Sequence, residues 1–86
     1  MTGDPMVILV IVRARDPHRQ AEGLRAALGL TLRGARVEVA VDEPLATPLA
    51  HRAADTLRSF GHRVGPVAGD ALAAALARAA RVEVWT

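Results

Sequence analysis

The sequence predicts an α/β fold: a three-layer α/β/α sandwich around a mainly parallel four-stranded sheet, in the order β-α-β-α-β-α-β. Three observations carry this. The run "MVILVIV", Met6 to Val12, is apolar, uninterrupted and largely β-branched, as in a strand covered on both faces. Helical spacing then alternates with short valine-rich stretches, the pattern of parallel strands joined by helical crossovers. Each helical stretch ends beside a glycine or alanine and passes into an Arg-Val pair: Arg36-Val37, Arg63-Val64 and Arg81-Val82.

The elements follow in order. After the first strand, Asp16-Pro17 joins a favoured helix cap to a favoured first helical residue. A helix is predicted from Pro17 to Arg33, with Ala21, Leu24, Leu28 and Thr31 or Leu32 facing the sheet and Glu22, Arg25 and Arg33 facing away. Gly34 is placed to end it. "RVEVAV", Arg36 to Val41, alternates: Val37, Val39 and Val41 share one face, while Arg36, Glu38 and Ala40 share the other. That second face is expected to be partly exposed or covered by a partner. "DEPLATP" is a loop, and Thr47-Pro48 repeats the cap-plus-proline signal. A second helix is predicted from Pro48 to Phe60, with Leu49, Ala53, Leu57 and Phe60 inward and Gly61 closing it. "HRVGPV" is a short, weak strand, because Gly65 and Pro66 disfavour a central ladder. Asp70 is expected to cap a third helix, Ala71 to Ala80, with Leu72, Ala75, Leu76 and Ala79 inward, and "RVEVWT" is the last strand. The repeated "ARVEV" reads as one local solution used twice, an arginine snorkelling at the strand entrance before the valines enter the core.

Composition narrows the function. At 86 residues the chain is a single small domain, residues 1–86, for which packing against other subunits is a ready source of stability. Phe60 and Trp85 are its only aromatic residues, so the core is built from Val, Leu, Ile and Ala. The 11 basic residues, all arginine, face 9 acidic ones, for a net charge of +2. The arginines are scattered and lack aromatic partners for stacking, which argues against nucleic-acid binding. There is no cysteine, which excludes disulfides, thiolate metal sites, persulfide carriage and cysteine nucleophiles in this chain. The opening "MTGDPMVILVIV" carries Asp4 and an apolar run of only seven residues, and reads as neither signal peptide nor membrane span. A cytoplasmic location is expected.

In open parallel sheets ligands bind beyond the carboxyl ends of the strands. Those ends place Arg13, Arg15, His18, Asp42 and Glu43 on one rim, the candidate site for an anion or small ligand. The competing reading pairs Arg13 and Arg15 with Asp42 and Glu43, uses Asp16 as a cap and leaves His18 in solvent. His51 lies on the second helix and His62 at the opposite rim, and the three histidines have no metal-ligand spacing. No phosphate-binding fingerprint follows the first strand, and Ser59, the only serine, lies in no nucleophile elbow. No catalytic residue, cofactor or metal is assigned.

"AEGLRAALGLTLRGARVEVAV" after an apolar strand resembles the DsrE/DsrF/DsrH-like family of small sulfur-relay proteins, and "SFGHRV" and "RVEVWT" fit the same plan. The resemblance covers Met6 to Thr86 and rests on core pattern. It implies a three-layer fold and assembly into homo- or hetero-oligomers. Sulfur-carrying members hold a cysteine near the end of a later strand; the corresponding "GPVA", Gly65 to Ala68, has none. The expectation is therefore a non-catalytic DsrE-like domain acting through oligomeric assembly or protein binding, linked to sulfur relay but unable to carry persulfide. The alternative is a small-ligand or anion-binding module using the loop after the first strand.

Overall fold

The first strand, β1 (Val7–Val12), lies inside the sheet with almost every residue buried. The structure, a computed structural model, describes residues 6–42 and 44–86. Residues 1–5, including Asp4, and the rim residue Glu43 lie outside the described residues. Six further elements follow β1: α1 (Pro17–Thr31), β2 (Arg36–Val41), α2 (Pro48–Ser59), β3 (Arg63–Pro66), α3 (Gly69–Arg78) and β4 (Arg81–Trp85). The strands form one parallel sheet in the order β3-β2-β1-β4.

This order places the helices. From β1 to β3 the chain steps one way across the sheet. It then returns across β2 and β1 to reach β4. Right-handed crossovers put the outgoing and returning helices on opposite faces. Accordingly α1 and α2 cover Ile8, Val10, Val12, Val37, Val39 and Val41, and this is the larger core. Helix α3 covers Leu9, Ile11 and Ala40 with Ala75, Leu72 and Ala79, a much smaller cluster.

The helix ends follow the expected chemistry. Asp16 Oδ1 accepts the His18 N–H at 3.1 Å, and Thr47 Oγ1 accepts the Ala50 N–H at 3.0 Å. Gly34 and Gly61 stand just past α1 and α2 with φ of +82° and +86°. Gly23, inside α1, allows a close approach: a Cβ there would lie 3.0 Å from Val12 Cγ2 and 3.3 Å from Trp85 Cγ.

Four expectations are corrected. Helix α3 starts and ends about two residues early; Ala68 is its cap residue, and Asp70 lies within its first turn, where it still complements the helix dipole. Leu76 is exposed rather than inward. In α2 the buried stripe is Ala50, Ala53, Ala54 and Leu57, while Leu49 and Phe60 face solvent. Small alanines let α2 lie close to the sheet and α1, and that contact outweighs the pull of the larger side chains. Of the two alternatives at the end of α1, Thr31 is the half-buried one and Leu32 is exposed. The alternate face of β2 is not open: Glu38 and Ala40 are buried beneath α3.

Candidate functional site

The rim expected from the sequence is only partly assembled. Arg13 follows β1, and its Nε lies 3.7 Å from Asp42 Oδ2, with both side chains about half exposed. Such a pair contributes little to stability, but it neutralises two of the five rim residues. Arg15 and Asp42 line a cavity of about 240 Å³ with Ala14, Gln20, Pro44 and Ala46. His18 is exposed on the first turn of α1 and does not line that cavity. Asp16 already accepts an N–H of that turn, so an anion would compete with it.

The residue organising this rim is Gln20, which the sequence reading passed over. It is buried, and it holds the loop between β2 and α2. Its Nε2 donates to the carbonyls of Asp42 at 3.1 Å and Pro44 at 3.2 Å, and its Oε1 accepts the Ala46 N–H at 2.8 Å. One sequence signal existed: Gln20 lies four residues before Leu24, on the buried stripe of α1. With its amide satisfied three ways, Gln20 builds the loop and is not free to take a ligand.

Open sheets bind ligands where the chain reverses direction, here between β1 and β4. That crevice is filled by the chain itself. Trp85 packs against the larger core, and the Arg19 guanidinium lies 4.9 Å from its ring centroid. Arg19 Nε and Nη2 both donate to the Thr86 carbonyl at 3.3 Å.

A second constellation lies beneath α3. Glu38 is buried, and Arg78 from α3 grips it with Nη2 to Oε1 at 2.7 Å and Nε to Oε2 at 3.0 Å. These bonds hold the Glu38 carboxyl below the usual carboxylate range. Burial opposes them, and the charges of Arg78, Arg63 and Arg36 add to them. A cavity of about 200 Å³ adjoins the pair, with Leu9, Arg63, Pro66 and Leu72 in its wall. The ion pair joins α3 to the sheet.

Elsewhere, His62 Nδ1 accepts the Val37 N–H at 3.1 Å, so this histidine closes the start of β2. His51 is exposed, and Ser59 Oγ donates to the Thr56 carbonyl. Among the described residues no group of three or more His, Cys, Asp or Glu could hold a metal ion, and every buried side-chain polar atom has a partner. No helix among them is long and apolar enough to cross a membrane.

The two edges of the sheet differ. At β3, the Val67 N–H donates to the Val41 carbonyl, so by strand alternation Val64 and Pro66 direct their backbone outward. The Val64 carbonyl is capped by Arg58 Nη2 at 3.2 Å, and Pro66 has no N–H to offer. That edge is partly blocked. At β4, the Trp85 carbonyl accepts the Arg13 N–H at 2.8 Å. Val82 and Val84 therefore turn their N–H and C=O groups away from the sheet, and no described strand pairs with them. Their side chains, on the α3 face, are 42% and 58% exposed. The unprotected edge is the feature of this molecule most suited to a partner.

Compared with known proteins, the chain matches no family model, no curated protein and no solved structure.

Proposed function

We propose that this chain is a non-catalytic assembly subunit of the cytoplasm, a DsrE-like domain linked to sulfur relay that associates with copies of itself or with related subunits and carries no persulfide. The observation that carries this reading is the contrast between the edges: β3 is partly blocked by Arg58 and Pro66, while the outer side of β4 pairs with no described strand and is flanked by exposed valines. Proteins blunt the strand edges they keep in solvent, so an edge left open beside apolar side chains is suited to pairing. The missing cysteine agrees with a role other than sulfur carriage. An anion-binding role is less well supported, because Arg13 already pairs with Asp42 and Asp16 already caps α1.

Static light scattering of the intact chain tests the proposal. The mass is expected to rise above the 9.1 kDa of one chain as concentration increases. A constant single-chain mass up to millimolar concentration refutes self-assembly and leaves only association with a different subunit.

A further inference from the structure

We infer that β4 pairs antiparallel with β4 of a second copy of this chain, about a two-fold axis at Val82, joining two four-stranded sheets into one of eight. The inference rests on the assembly reading above and adds the partner, the strand and the register.

The argument begins with alternation. Residues directly opposite in an antiparallel pair share a face. Arg81, Glu83 and Trp85 lie on the α1 face of β4, and Val82 and Val84 on the α3 face. A two-fold axis can pass through position 82, 83 or 84. At 83 it sets Glu83 against its own copy, where side chains approach most closely, and like charges so placed are unfavourable. At 84 it sets Glu83 against Trp85 and leaves Glu83 without an opposed arginine. At 82 it sets Val82 against Val82, Val84 against Ala80, and each Arg81 against the other copy's Glu83. The sequence "RVE" is thus complementary to itself when reversed, as a closed two-fold interface requires.

The backbone agrees. Val82 directs its N–H and C=O outward, so two copies exchange a pair of hydrogen bonds there, and the outward Val84 N–H meets the Ala80 carbonyl. The Ala80 N–H stays on Val7 at 2.8 Å, so the ladder is short. Arg81 and Glu83 already meet within one strand, Nη2 to Oε2 at 2.7 Å, with the arginine side chain more than half exposed. Pairing lets each cross to the other copy at little cost in solvation. Helix α3 does not obstruct the seam: it packs over β1 and β2, and leaves Val82 and Val84 uncovered. A seam this small makes a weak, concentration-dependent dimer.

The chain has no cysteine, so single cysteines report the register cleanly. In Val82→Cys, Glu83→Cys and Val84→Cys, the new thiol meets its own copy in one register only. Opposed Cα atoms about 4.5–5.5 Å apart lie within disulfide range. Under mild oxidation Val82→Cys is expected to form a covalent dimer at least tenfold faster than the other two. Faster crosslinking of Glu83→Cys or Val84→Cys overturns the register. A dimeric wild type with no crosslink at any of the three positions overturns β4 pairing while leaving self-assembly standing. A wild type that stays monomeric overturns both. As a second measurement, Arg81→Glu and Glu83→Arg, each verified as folded by circular dichroism, are expected to weaken dimerisation about tenfold, and the double variant to restore it. A double variant no tighter than the singles contradicts the charge pairing.

Discussion

Replacing Gln20 with alanine unties the rim. The substitution removes three hydrogen bonds, two donated to the Asp42 and Pro44 carbonyls and one accepted from Ala46. Each contributes about 1 kcal/mol net. Pro44 and Ala46 are exposed, so water recovers part of the loss, and the expected cost is about 2 kcal/mol. Unfolding entropy of about 2.1 cal/mol/K per residue gives a chain of 86 residues about 0.18 kcal/mol/K, so Tm should fall by about 11 °C. Gln20→Met separates bonding from volume: it fills the same space without the amide, and Tm should fall nearly as far. Thermal melts followed by circular dichroism provide the assay. A fall below about 3 °C in Gln20→Ala, or full recovery in Gln20→Met, would refute the reasoning, because the loop would then be held by packing alone.

Other perturbations probe other layers. The folded-state pKa of Glu38 is depressed, so the stabilisation from its charged form is present above the unfolded value of about 4.3 and is lost as pH falls through the folded pKa. Urea titrations should therefore show the wild type losing its advantage over Glu38→Gln between pH 5 and strongly acidic conditions; a gap independent of pH contradicts this. Two glycines of α1 should respond oppositely to alanine. A Cβ at Gly23 meets Val12 at 3.0 Å and destabilises by about 1 kcal/mol net, whereas at Gly29 it meets nothing within 4 Å and stabilises by about 0.5–1 kcal/mol. Equal Tm shifts would show that Gly23 has room to spare. Opening the other edge with Arg58→Ala and Pro66→Val should give species larger than a dimer in sedimentation velocity, since both edges would then accept strands; an unchanged distribution would mean that the cap on Val64 is not what blocks β3.

Much of the fold was legible because its signals are local. The run Met6 to Val12, the caps at Asp16 and Thr47, and the glycines at 34 and 61 each act within a few residues of their position. What could not be read depends on partners distant in sequence. Glu38 reads as a solvent-facing residue of an alternating strand until Arg78, forty positions later, is folded over it. Gln20 falls on the buried stripe of α1, but nothing local says what its amide binds until the loop carrying Asp42, Pro44 and Ala46 is folded against it. The inward face of α2 was displaced because large side chains carry the hydrophobic signal, while alanine permits the close approach. Of the rim, the Arg13–Asp42 pair was legible from adjacent strand ends. The strand order was not, and with it neither the crevice filled by Trp85 and Arg19 nor the difference between the two sheet edges. The alternating "RVEV" did point to incomplete cover, but the two copies of it fare differently: the one in β2 lies under α3, and the one in β4 stands open.

The most direct measurement is amide hydrogen exchange at Val82 and Val84 across a concentration series, read by NMR. Assembly through β4 predicts that both outward N–H groups exchange freely in dilute protein and gain protection as concentration rises, while the inward Glu83 N–H stays protected throughout. Exchange at Val82 and Val84 that remains fast at every concentration would contradict the account.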